Sequence, residues 1–200
     1  MIHLFINNHS DKTIILFHGT GADEYDLLPV AKLLSDKANI LSFRGSVVEN
    51  GMNRFFKRFS IGNYDLESYQ KETKRIVDEI NLLKEKYQID LSKTLVAGFS
   101  NGANIALGIL QYFPETLNNY LLFSPDYIDT NTPFLSLENK KIFLSTAKND
   151  PYSNYQNLLI MKSILKEKKA DVFYQLISGH TLSMELVLQS KNFFDDFLKE

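Results

Sequence analysis

Two hundred residues, 44% hydrophobic and 23% charged, suit one globular unit and leave no room for a long disordered stretch. A formal net charge of −2 supplies no field of one sign for nucleic acid or an anionic membrane, and the lack of cysteine excludes disulfides, thiolate nucleophiles and cysteine metal sites. The first residues have no basic segment leading into a long apolar core, and no apolar run approaches the ~18 residues of a membrane span. A cytoplasmic, soluble chain forming a single domain over residues 1–200 is therefore expected.

In chain order, His3 to Asn7 reads as an edge strand. It lies so close to the next strand that the two are expected to pair antiparallel. Thr13-Ile14-Ile15-Leu16-Phe17 is apolar nearly throughout, as a strand buried on both faces must be. Tyr25 to Lys37 places Leu27, Leu28, Ala31 and Leu34 on one helical stripe. Ile40 to Phe43 is a short strand, and Arg44 to Asp65 is a long irregular segment of the kind that forms lids or binding loops. Leu66 to Tyr87 repeats apolar residues near the helical period. The strand Thr94 to Ala97 leads into a helix from Ala103 to Phe113. Strands at Tyr120–Phe123, Ile142–Leu144 and Val172–Tyr174 alternate with helices at Asn154–Lys169 and Thr181–Leu198. Strand–helix repetition of this kind predicts an α/β fold with a mostly parallel sheet of about seven strands, helices on both faces and no large cap.

Ligands of such sheets bind beyond the carboxyl ends of the strands. Three groups fall there. Gly98-Phe99-Ser100-Asn101-Gly102 reads G-x-S-x-G between a strand and a helix, the arrangement that exposes a serine nucleophile on a tight turn. A serine hydroxyl needs a base, and His180 follows the last strand across Ser178-Gly179. The imidazole needs a carboxylate, and Asp150 follows the strand ending near Thr146. Asp126 is its rival, since it follows the preceding strand. An oxyanion hole needs backbone N–H groups: Asn101, next after the serine, supplies one, and Thr20 in the loop His18-Gly19-Thr20-Gly21 is the candidate for the other. His18 reads as a structural histidine or a substrate contact. With Asp23 and Glu24 it has no recognised metal-ligand spacing. No metal and no organic cofactor is expected.

The segments Leu16 to Gly21, Gly98 to Asn104, Lys148-Asn149-Asp150-Pro151 and Ser178-Gly179-His180 resemble the phospholipase/carboxylesterase group of α/β-hydrolases. Phe43-Arg44-Gly45, Glu49 to Met52 and Arg54 to Arg58 are similar to its bacterial MhqD-like members. The resemblance implies a minimal α/β-hydrolase fold and a triad of Ser100, Asp150 and His180, with Thr20 and Asn101 as oxyanion donors. It implies ester hydrolysis through an acyl-enzyme, in a group linked to quinone and hydroquinone detoxification. Many relatives have glutamine where this chain has Asn101.

The leading expectation is thus a carboxylesterase acting on a small ester. A thioesterase or lysophospholipase would use the same machinery, and a non-catalytic ligand-binding homologue is the alternative of another class. In the 44–65 segment, Arg44, Arg54 and Phe55 are candidate substrate contacts. The competing reading is a solvated basic loop anchored by buried phenylalanines. The segment's aromatic residues would sit at the pocket mouth or at a homodimer interface.

Overall fold

A computed structural model describes residues 1–198. Seven strands form the central sheet: β1 (His3–Ile6), β2 (Thr13–Phe17), β3 (Asn39–Phe43), β4 (Thr94–Phe99), β5 (Asn119–Phe123), β6 (Lys141–Ala147) and β7 (Asp171–Ile177). Their order is β1-β3-β2-β4-β5-β6-β7, and every pairing is parallel except that of β1.

The edge strand is antiparallel, but its partner is β3 rather than the adjacent β2, with His3 opposite Phe43 and Ile6 opposite Ile40. The reason is that β2 lies between β3 and β4, so both of its ladder edges are taken by parallel neighbours. The connection to β2 instead passes the start of β3, where Asn39 holds it. Its Oδ1 accepts from Asn8 N–H at 2.9 Å and its Nδ2 donates to Ser10 O at 2.7 Å.

Alternate residues of the strands feed two cores, as the period of two requires. Ile15 and Phe17 of β2 face one core, and Ile14 and Leu16 face the other. The first core is covered by α2 (Leu66–Tyr87), α3 (Asn101–Tyr112) and α4 (Tyr155–Glu167), the second by α1 (Leu28–Leu34) and α5 (Met184–Phe193), with the short α6 (Asp195–Leu198) completing the described chain. Helix α1 is shorter at both ends than the expected Tyr25 to Lys37, and the expected C-terminal helix is broken at Phe194, which is fully buried.

α3 is buried along almost its whole length, so it carries the site residue at its start deep into the molecule. It lies very close to β2: a β-carbon on Gly102 would strike the Phe17 carbonyl, and one on Gly98 would strike the carbonyl of Gly102. Only glycine permits that approach.

The 44–65 segment is ordered into two small antiparallel hairpins, Val47–Glu49 with Met52–Arg54 and Arg58–Ser60 with Asn63–Tyr64. The first turns through Asn50 and Gly51, both at positive φ (51° and 80°), as a two-residue hairpin of the I′ kind demands. Asp65 then starts α2 by accepting from Ser68 N–H at 2.9 Å. Among the described residues no helix is long and apolar enough to cross a membrane.

Candidate active site

Ser100 sits between β4 and α3 with φ 52° and ψ −115°, a strained conformation for a residue bearing a β-carbon. Its N–H is tied to Phe123 O of β5 at 2.9 Å. The turn therefore projects the side chain above the sheet, into a cavity of about 580 Å³. That size suits a small molecule. Thr20, Asn101 and His180 line the same cavity, as do Tyr64, Phe99 and Tyr152.

Asp150, 8% exposed, follows β6 and His180 follows β7. Asp150 Oδ2 receives the His180 Nδ1–H across 2.7 Å, and its Oδ1 accepts from Tyr152 N–H at 2.8 Å. An ionised carboxylate only accepts, so the shared proton belongs to Nδ1, and in the neutral ring the lone pair is then on Nε2. The ring is flanked by Phe99 and Tyr152, with centroids 5.1 and 4.8 Å away, which limits its rotation.

Asp126 also lines the cavity, but its oxygens are otherwise engaged. Oδ2 accepts from Tyr64 O–H at 3.1 Å, and Oδ1 from the N–H groups of Tyr127 (3.0 Å) and Asn154 (3.2 Å). Burial raises its pKa. Of the two candidate acids, only Asp150 is joined to His180 among the described contacts.

The Thr20 loop and Asn101 are held by three successive residues of the first hairpin and its exit. Asn53 O accepts from Gly21 N–H at 2.9 Å, while its Nδ2 donates to Ala22 O at 2.8 Å. Arg54 Nη1 donates to Thr20 Oγ1 at 2.7 Å. Phe55 N–H donates to Asn101 Oδ1 at 2.7 Å. The asparagine side chain after the serine thus holds the hairpin against the start of α3.

The structure separates the candidates of the 44–65 segment. Arg54 lines the cavity, but Arg44 and Phe55 do not. Arg44 is instead paired with the buried Glu24 (Nη2 to Oε1, 2.8 Å), whose carboxyl it holds below the usual range. Phe55 is completely buried against Phe17 and His18, with centroids 5.3 and 4.8 Å away. An apolar ring gains more from that core than from a wet cavity. Phe59 and Ile61 remain 74% and 57% exposed at the tip of the second hairpin.

His18 is 1% exposed and uses both ring nitrogens. Nδ1–H donates to Gly19 O at 2.6 Å and Nε2 accepts from Gly45 N–H at 3.0 Å. That pattern requires the neutral ring, and burial lowers its pKa. The sign follows: the unfolded chain takes up this proton near pH 6.5 while the native one does not. The contribution of His18 to stability is present above that pH and is lost as pH falls toward the lowered native value. Thermal melts at pH 7.5 and 5.5 are expected to show a larger drop for wild type than for His18→Gln. Equal drops would exclude the account.

Sequence reasoning missed Tyr64, on a two-residue strand, and Tyr152, in the connection before α4; both segments are too short to show periodicity. Asn53 carried a signal, since it follows the Asn50-Gly51 turn pair and hence lies on a hairpin strand.

A mostly parallel seven-stranded sheet, helices on both faces and a serine turn beyond the central strand β4 define an α/β-hydrolase. Residues 6–195 match the phospholipase/carboxylesterase family, and the chain belongs to that family. It is 30% identical over 198 residues to MhqD of Bacillus subtilis (strain 168), covering 98% of each chain. Its structure is similar to the Bacillus cereus carboxylesterase (TM-score 0.93, 32% identity, 98% of this chain and 93% of that one). It is likewise similar to YahD, solved with malic acid (TM-score 0.92, 32% identity, 99% of both chains).

Proposed function

We propose that this chain is a serine carboxylesterase that cleaves small esters through an acyl-enzyme. The observation that carries the reading is the 2.7 Å Asp150–His180 bond, which leaves Nε2 free on a ring that shares a cavity with the strained Ser100.

Ser100 Oγ attacks the ester carbonyl as His180 Nε2 takes its proton. Asp150 keeps the imidazole in the required tautomer and stabilises the cation. The Thr20 and Asn101 N–H groups receive the developing oxyanion, each worth ~3–4 kcal/mol by analogy with measured oxyanion donors. His180 then returns the proton to the leaving alcohol, the C–O bond breaks and the acyl-enzyme remains. Water attacks it with His180 as base, which releases the acid and restores Ser100.

The cavity's size and its aromatic walls of Tyr64, Phe99 and Tyr152 favour short acyl or aryl groups over long lipid chains. Malic acid in YahD supports a small, polar ligand for this chain as well. The test is turnover of p-nitrophenyl esters of rising acyl length. Acetate and butyrate are expected to react with a burst of nitrophenol, and octanoate poorly. No turnover and no burst on any ester would overturn the reading and favour a ligand-binding homologue.

A further inference from the structure

Attack on a carbonyl needs a nucleophile, a base and oxyanion donors, yet the cavity wall also holds a buried guanidinium. Arg54 is 2% exposed. Its Nη1 donates to Thr20 Oγ1, while Nε lies 3.3 Å from Phe56 O and 3.1 Å from Glu49 Oε2. Nη2 takes part in none of these contacts. Arg58 lines the same cavity and leans on the same carboxylate, its Nε 3.0 and 3.1 Å from the two Glu49 oxygens.

Two guanidiniums therefore share one anion, and among the described residues one positive charge is left without a counter-charge. The cavity's other carboxylates do not supply it. Asp126 is held by Tyr64 and backbone N–H groups, and Asp26, which also lines the cavity, has no ion pair with Arg54 or Arg58 among the described residues; the charged groups nearest Arg54 are Arg58 and Glu49, with Tyr64 beside them. An unpartnered donor is adjacent. Asn101 Nδ2 is buried with no partner among the described residues, although its Oδ1 is bonded to the N–H of Phe55, the residue after Arg54. Burying a charge or an amide without a partner is costly, and a bound acceptor removes that cost.

We propose that Arg54, supported by Arg58 and Asn101, forms a subsite for a carboxylate on the substrate, so that the preferred substrates are half-esters of short dicarboxylic acids. This rests on the esterase reading above. In the free enzyme Glu49 offsets part of the positive charge, and Thr20 Oγ1 fixes the orientation of the guanidinium. The anion then occupies the unpaired side.

The test compares monoethyl succinate with diethyl succinate, which present the same reacting ester with and without a charge, by ethanol release. Wild type is expected to favour the monoester in kcat/KM. Arg54→Gln should lower the mono-to-diester ratio about 30-fold, as loss of a charged hydrogen bond predicts, mainly through KM. Arg54→Lys should recover part of it. Glu49→Gln should move the ratio in the opposite direction, because it removes the competing anion. An unchanged ratio in Arg54→Gln, or a fall in Glu49→Gln, would overturn the proposal. Should Arg54→Gln not fold, Glu49→Gln and Arg58→Gln decide by the same ratio. Should no ester be cleaved, the esterase reading fails, and calorimetric titration with succinate decides the subsite. Binding by wild type that is lost in Arg54→Gln and partly kept in Arg54→Lys supports it; no binding by wild type, or binding unchanged in Arg54→Gln, rejects it.

Discussion

Ser100→Ala is expected to reduce kcat for p-nitrophenyl butyrate by roughly six orders of magnitude, the scale seen when a serine nucleophile is removed from an intact site. Folding should survive. The substitution deletes one oxygen at a position that lines the cavity, and neither Ser100 N–H to Phe123 O nor Asn104 N–H to Ser100 O involves that oxygen. The strain at φ 52° is equally present with alanine. A fluorophosphonate probe separates loss of chemistry from loss of fold: wild type should gain one covalent adduct and the variant none, with matching thermal melts. An adduct on the alanine protein would place the nucleophile elsewhere and undo the proposed mechanism.

The second large effect concerns the acid. Asp150→Asn should lower kcat about 10⁴-fold, because an amide facing Nδ1 favours the wrong histidine tautomer. Asp126→Asn should cost less than about 10-fold, since what it disturbs is a set of ties among Tyr64, Tyr127 and the start of α4. Its effect should be seen mainly in stability. The comparison is informative because both carboxylates follow neighbouring strands, both are buried, and both are close enough to influence each other. Equal losses of kcat, or a larger loss at Asp126, would reverse the assignment.

Much of this architecture is legible in the residues. Strands such as Thr13–Phe17 are buried on both faces, so continuous apolar runs mark them, and chemistry-bearing residues placed directly after such runs must gather at one edge of a parallel sheet. Ser100, Asp150 and His180 are readable for that reason. The pairing of β1 is not, because a choice between β2 and β3 depends on which edges remain open once the sheet is assembled. The 44–65 hairpins are hard to read because strands of two or three residues have no periodicity, although Asn50-Gly51 marks the first turn. Arg44 and Arg54 are indistinguishable on composition. Their fates are set by whether Glu24, or Thr20 and Glu49, lies within reach.

The hairpin held by Asn53, Arg54 and Phe55 has a consequence for how such an enzyme can diverge. Its stem is committed, because each of those residues is bonded to the Thr20 loop or to Asn101, and a shift there would move the two proposed oxyanion donors. Its tip is not. Nothing lies within 4 Å of where a side chain on Gly51 would begin, and the same holds for Gly62 on the second hairpin. Exposed tips of this kind accept insertions with little effect on folding, while Gly51 and Gly62 themselves, at φ 80° and 73°, disfavour any residue with a β-carbon. New residues there could reshape the mouth of the cavity and retune the choice of ester while the stem keeps the chemistry in register.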